Sequence, residues 1–408
     1  MLNRIWTFFF FGAFVAAVGQ TIAGHTGVWA DMVGATFDMS KTAFEISLGL
    51  TGVMCLWLGI MRIGERGGAV EVLGRIFGPL LRRLFPGIPA DHPAQSSIVM
   101  NMAANMLGLD NAATPLGLKA MREMQELNPQ KDTASDDMIL FLVINTSAVT
   151  VIPATIFTYR AQMGAADPTD IFLPILIATY CSTMVGLIVT AAWQKLNLLQ
   201  PVVLAYLGGI TALIAGLVAY FAHLDQAALE TQSSLLANVM IFGIIIAFML
   251  GAVLRRVNLY EAFVEGAKDG FGVAVGIIPY LVAMLVAIGV FRASGALDLI
   301  LDAVRDLVGG AGLDTRWVDG LPTALMKPLS GSGARGMMIE TMKNFGADSF
   351  AGRLACVVQG STETTFYVLA VYFGAVGIRK TRHAVVCGLA ADAAGVAAAI
   401  LVSYLFFG

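Results

Sequence analysis

Seven consecutive residues, Gln359-Gly-Ser-Thr-Glu-Thr-Thr365, place an amide, hydroxyls and a carboxylate inside an apolar run covering 350–376. A run of that length can cross a bilayer. A carboxylate near its centre costs at least about 2.5–3.5 kcal/mol, so the segment must face protein or water. The chemistry on offer is recognition. Glu363 could take up a coupling proton, hold a cation or accept hydrogen bonds from a solute, and the amides of Gln359 and Asn145 suit a solute with both donors and acceptors. A second polar break, Asn145-Thr-Ser-Ala-Val-Thr150, interrupts the apolar run 138–159 and is followed by Pro153.

Two further stretches carry polar groups at membrane depth. Residues 92–127 form two limbs around Gly108-Leu-Asp-Asn-Ala-Ala-Thr-Pro115, and residues 319–345 form two around Ser330-Gly-Ser-Gly-Ala-Arg335. Limbs of about a dozen residues reach only about 20 Å, short of the roughly 30 Å hydrocarbon core, which predicts re-entrant hairpins. The candidate solute-binding residues are therefore Asn105, Asp110, Asn111 and Thr114 at the first tip, Ser330 and Ser332 at the second, Asn145, Thr146 and Ser147 in the first break, and Gln359, Ser361, Thr362, Glu363, Thr364 and Thr365 in the second. Asn145 to Ser147 are expected to meet Ser361 to Glu363. Glu363, Asp392, Lys327 and Arg335 are candidates for coupling or charge pairing. Each has a plainer reading: hydroxyls can serve as polar glue between helices, Lys327 and Arg335 as charge balance at the surface, and Asp392 as a structural hydrogen-bonding group.

The elements that must hold these groups follow from hydropathy. Of 408 residues, 57% are hydrophobic and 13% charged, which specifies an integral membrane protein. Apolar runs at 5–23, 43–63, 170–195, 202–221, 235–254, 271–291 and 383–407 read as spans, with the first read as a span although it follows Arg4 in the manner of a signal peptide. Amphipathic stretches cover 27–41, 64–86, 258–269 and 294–308; the second carries Arg66, Arg75, Arg82 and Arg83 and lies along the membrane surface. Order and type recur, and Gly59-Ile-Met-Arg62 answers Gly289-Val-Phe-Arg292 as Gly68-Ala-Val-Glu71 answers Gly295-Ala-Leu-Asp298. The expected fold is an all-α polytopic membrane protein of two repeats, 1–198 and 231–408, joined by a helix and loop at 199–230. An odd number of crossings before the second repeat makes the two inverted. The positive-inside rule places the N-terminus in the cytoplasm and the C-terminus outside, with about sixteen of the 25 Lys and Arg inside.

The net charge of -3 gives no basis for a nucleic-acid partner, and the four cysteines and four histidines are too scattered for a metal site. Gly331-Ser-Gly-Ala-Arg-Gly336 follows no strand and lacks the lysine of a nucleotide-binding loop. No nucleophile with a paired histidine and acid appears, so an enzyme is not expected.

The first half resembles the spore maturation protein A family through Asp91-His-Pro93, the stretch 101–121 and Asn145-Thr-Ser147; the second resembles spore maturation protein B through the stretch 328–336 and Gln359-Gly-Ser-Thr-Glu-Thr-Thr-Phe-Tyr367. The chain looks like a fusion of the two. Both families carry the nucleoside-recognition or Gate domain, a name shared with concentrative nucleoside transporters and the membrane part of the ferrous iron transporter B protein. The resemblance implies opposed hairpins, broken helices and a moving transport domain on an oligomeric scaffold.

The expected function is secondary transport of a small polar solute, nucleoside-like or another metabolite, across the cell inner membrane by elevator-type alternating access. The site would lie at the midplane between broken helices and hairpin tips. No cofactor is expected beyond Na+ or H+ as coupling ion, and the partners are solute, lipid and further copies of the chain. The rival is a non-transporting scaffold or regulator in spore or envelope maturation; a channel would need simultaneous access from both sides.

Overall fold

The computed structural model describes residues 2–408 apart from Leu109 and Ala148, with all side chains except those of residues 2, 3 and 110–112. It is helical throughout, and among the described residues eight helical segments are long and apolar enough to cross a membrane. The fold is that of a polytopic α-helical membrane protein. In chain order the helices are α1 (Leu2–Ile22), α2 (Val28–Arg66), α3 (Ala69–Leu84), α4 (Pro93–Met106), α5 (Asp110–Leu127), α6 (Asp136–Thr146), α7 (Ala154–Gln162), α8 (Phe172–Gln194), α9 (Pro201–Ala222) and α10 (Gln226–Leu254). They continue with α11 (Leu259–Gly276), α12 (Ile278–Ala293), α13 (Ala296–Gly310), a 3-10 turn (Arg316–Gly320), α14 (Leu321–Met326), α15 (Gly331–Phe345), α16 (Phe350–Ser361), α17 (Thr365–Ala375) and α18 (Ala384–Phe407).

The sequence expectation differs from the structure at three places, the simplest being α10, which begins at Gln226 and takes up part of the loop expected before the span at 235–254. The amphipathic stretch at 27–41 and the span at 43–63 are one helix of 39 residues, α2. Its polar residues lie on an outward stripe, where Lys41 and Glu45 pair at 3.8 Å one turn apart, so they interrupt the apolar pattern without interrupting the helix. In the second half, α11 and α12 meet at Ile277 and run nearly continuously over Leu259–Ala293. Packing two helices closely explains the glycines there. A Cβ on Gly270 would stand 2.7 Å from the Met54 carbonyl of α2, and one on Gly59 would stand 2.5 Å from the Phe263 ring of α11. Small residues at these positions let α2 and α11 approach backbone to backbone.

Both amphipathic helices, α3 and α13, begin at a left-handed glycine, Gly68 (φ 85°) and Gly295 (φ 73°). Only glycine adopts that conformation cheaply, and the turn swings each helix away from the long one before it. A second group of helices packs around α8 and α18, with α6 and α16 against both. This group carries the breaks, and the helical hairpins α4–α5 and α14–α15 lie beside it. Its core includes Phe141, Ile139, Leu142, Val357 and Cys356, all fully buried.

Candidate functional site

Each broken helix starts with a side-chain cap. The Ser135 hydroxyl accepts from Met138 N at 3.3 Å and the Ser349 hydroxyl from Gly352 N at 3.0 Å. Each then runs only about three turns: α6 ends at Thr146 and α16 at Ser361. At Thr362 the chain is fully extended (φ -149°, ψ 170°), and Pro153 precedes α7, where its ring and missing N–H prevent the first helix from simply continuing. Two breaks of this kind leave helix-terminal carbonyls and N–H groups unpaired within their own helices.

The two breaks satisfy each other and the hairpin tips. Glu363 N donates to the Thr146 carbonyl at 2.6 Å, which joins the second break to the first. Val151 N, just past the first break, donates to the Met106 carbonyl at the end of α4 (2.8 Å). Phe366 N, just past the second, donates to the Pro328 carbonyl beside α14 (3.1 Å). Each hairpin is thus tied by main chain to one broken helix. The long helices add side chains: Ser182 donates to the Ala391 carbonyl at 2.9 Å, Thr183 to the Ser147 carbonyl, and Thr365 to Asp392 Oδ2 at 2.6 Å. Alanine or larger at Gly395 would put a Cβ 2.6 Å from the Thr362 methyl, so close approach of α18 to the break needs glycine.

A cavity of about 660 Å³ lies where these parts meet. Asn105, Thr114, Asn145, Ser330, Ser332, Arg335, Glu363 and Thr364 line it, together with the rings of Tyr280, Phe366, Tyr367 and Tyr372. A smaller cavity of about 140 Å³ shares Asn105, Arg335 and Glu363 and adds Lys327, Gln359 and Thr362. Glu363 is exposed to these cavities, whereas most of the polar groups around it are buried. The N-terminus of α15, capped by Ser330 accepting from Gly333 N at 3.0 Å, opens at the same place. The arrangement therefore offers a carboxylate, a guanidinium, helix-end dipoles and aromatic faces to whatever enters.

Most of the expected residues divide into two sets. Asn105, Thr114, Asn145, Ser330, Ser332, Gln359, Thr362, Glu363 and Thr364 line the cavities, as do Lys327 and Arg335. Thr146, Ser147, Ser361 and Thr365 are fully buried. Of these, Ser147 donates to the Val143 carbonyl at 2.9 Å, Ser361 to Val358 at 2.8 Å and Thr365 to Asp392. The side chains of Asp110 and Asn111 lie outside the described residues. Asp392 is buried behind the break, where it accepts the Thr365 hydroxyl at 2.6 Å. Arg335 lies over the Tyr159 ring, 5.8 Å from its centroid.

The first-break amide turns inward. Asn145 Nδ2 donates to the Phe141 carbonyl at 2.8 Å, and its Oδ1 accepts from Asn105 at 2.7 Å and from the Tyr372 hydroxyl at 3.4 Å. Asn101 completes the chain by donating to Ala113 O at 2.7 Å across the hairpin. These amides hold hairpin and break together.

Sequence reasoning overlooked Tyr372 and Arg160. Arg160, fully buried in the last turn of α7, donates to Ala347 O at 2.6 Å and Asp348 Oδ1 at 3.0 Å, and pairs with Asp170 at 2.8 Å. Its signal was an arginine ending an apolar half-helix with Asp167 and Asp170 close behind.

The Gate family model, described as nucleoside recognition, matches residues 47–163 and 274–379, more than half of the chain and both hairpin-and-break regions. The chain belongs to the Gate family. Two curated relatives come from Bacillus subtilis (strain 168). Spore maturation protein B is 50% identical over 173 residues, 42% of this chain and 96% of that protein. Spore maturation protein A is 41% identical over 189 residues, 46% of this chain and 93% of that protein. This Gate protein is thus similar to two separate proteins, each accounting for close to half its length.

Proposed function

We propose that this Gate protein is a secondary transporter of a small polar solute, nucleoside-like or another metabolite, in the cell inner membrane. The observation that carries the reading is Glu363, a carboxylate exposed to the 660 Å³ cavity at the junction of both breaks and the second hairpin tip. A charge held at that depth has a cost that a packing role does not repay. The body formed by the hairpins, the broken helices, α8 and α18 alternates against α2, α11 and α12, with the N-terminus cytoplasmic and the C-terminus outside. Glu363 takes the coupling proton or sits beside the coupling Na+, Asp392 and Lys327 balance charge behind it, and no bond of the solute is made or broken. Scaffold helices mediate contact between copies.

The test is a thermal-shift screen of the purified protein against nucleosides, nucleobases, amino acids, dicarboxylates and divalent cations, with Glu363→Gln run in parallel. Ligand at one hundred times its dissociation constant adds about 2.7 kcal/mol to stability. A stabilising solute whose effect disappears in Glu363→Gln supports the site; a solute that stabilises both equally removes Glu363 from it.

A second reading, a non-transporting scaffold in spore or envelope maturation, is favoured by the names of the two relatives. Cysteine labelling separates them. Ser147 and Ser361 are fully buried, so Ser332, half-buried on the cavity, is the position to label. Transport predicts that Ser332→Cys reacts from alternate sides as solute and ion are varied; a scaffold predicts one fixed pattern.

A further inference from the structure

We propose that the outer face of α3 is a docking surface for anionic phospholipid headgroups. The inner face of this helix, through Val70, Leu80, Leu81 and Leu84, is buried against the protein. The opposite face carries Val72 and Ile76, 50% and 48% exposed, with Arg75, Arg82 and Arg83 exposed around them. At 100° per residue these five positions fall on one side of the helix. None of the three arginines makes an ion pair among the described residues, whereas Glu71, the acid of this helix, pairs with Arg255 at 3.4 Å. Exposed aliphatic side chains flanked by unpaired guanidinium groups fit the boundary between acyl chains and phosphates, where arginine forms forked, charge-assisted bonds to phosphate oxygens.

The corresponding helix α13 shows that the charge is not a by-product of amphipathicity. It too begins at a left-handed glycine and exposes Leu299, Ile300 and Leu307. Its charges, however, are Asp298, Asp302 and Asp306, and its Arg305 is held by Asp302 and Asp319. Two helices of the same build thus present opposite charge to their surroundings, and only α3 complements an anionic surface.

Lipid bound there would bear on the first hairpin. A Cβ on Gly74 of α3 would stand 3.1 Å from Val99 of α4, and the Tyr206 hydroxyl of α9 donates to the Ile76 carbonyl at 2.6 Å. Headgroups holding α3 hold the contact surface of α4 with it.

The experiment is thermal unfolding of the full chain in nanodiscs of phosphatidylcholine alone or with phosphatidylglycerol added. Wild type should melt at a higher temperature with phosphatidylglycerol, by an increment that shrinks as salt is raised. Each arginine near an anionic surface contributes roughly fivefold to lipid preference, so the triple variant Arg75→Gln/Arg82→Gln/Arg83→Gln should lose the increment. Its midpoint in phosphatidylcholine alone reports whether it folds, and Asp306→Asn should keep the increment. A wild-type midpoint indifferent to phosphatidylglycerol, a salt-insensitive increment, or an increment retained by the folded triple variant each overturns the proposal. If the triple variant does not fold, the wild-type salt titration decides.

Discussion

At one corner of the molecule Arg160, in the last turn of α7, reaches the loop that leads into α16, while Arg353 of α16 returns to Asp170 at 2.8 Å. At another corner the residues after α17 reach the loop that leads into α6. There Lys380 pairs with Asp132 at 3.0 Å, Arg382 pairs with Asp136 at 2.7 Å, and Arg379 N and Lys380 N donate to the Asp132 carbonyl. In both corners the end of one broken helix clamps the approach to the other, so the two breaks are tied at each end as well as where they cross. The environments differ. Arg160 has no exposure, whereas the Lys380 and Asp132 side chains are 69% and 52% exposed. The first corner is held by desolvated charges that depend on one another. The second is held mainly by main-chain hydrogen bonds, including Ala134 N to Lys380 O at 3.0 Å, with its ion pairs in water.

That contrast can be broken by substitution. Arg160→Met should have the largest effect, about 3–5 kcal/mol of stability, because it leaves the buried Ala347 carbonyl without its donor, Asp348 without its cation and Asp170 with Arg353 alone. Denaturant unfolding in detergent would measure it, and a loss below about 1 kcal/mol would mean the cluster is wetter than its burial shows. Arg160→Lys should recover only part of the loss, since a lysine cannot serve Ala347 O, Asp348 and Asp170 from one planar fork. Asp348→Asn keeps the shape but removes one charge at the rim of the same cluster, and should cost about 1–2 kcal/mol. Lys380→Ala at the exposed corner should cost no more than about 1 kcal/mol, and that small loss should fade with added salt while the Arg160→Met loss persists.

The smallest effect expected is one of pH. The Asp132 carboxyl, in the loop outside the membrane-spanning helices, is held below its ordinary value of 3.8 by Lys380 and the Thr133 hydroxyl. A lowered folded-state value means the unfolded chain binds the proton more readily, so this contact stabilises above 3.8 and its contribution disappears as pH falls below that value. Unfolding midpoints of wild type and Lys380→Ala should therefore converge on acidification through that window. If the two keep a constant separation, Lys380 acts through something other than the Asp132 charge.

The breaks and the hairpins were legible in the sequence and the two corners were not, and the residues show where legibility stopped. Polar groups in an apolar run announce themselves at Asn145 and Glu363, because lipid tolerates them only inside protein or beside water. Limb lengths announced the hairpins. The division of α2 was misread because Asp38, Lys41 and Glu45 lower local hydropathy, although a single helix can carry them on a face turned away from its neighbours. Arg160 was passed over because one arginine at a helix end is ordinary in sequence. Its acceptors at 347 and 348 are almost 190 residues away.

What the sequence by itself determined follows from the transfer of side chains between lipid and water: an α-helical polytopic chain, the positions of the hairpins and breaks, and the seven-residue stretch around Glu363. That transfer acts on each segment separately, so it can be read one segment at a time. What only the tertiary structure decided is how the polar groups are shared out. Asn145 and Thr365 bond within the protein, Glu363 faces the cavity, and Arg160 is sealed while Lys380 is not. Hydrogen bonds and ion pairs join groups far apart in the chain, and which donor meets which acceptor exists only once the helices have packed.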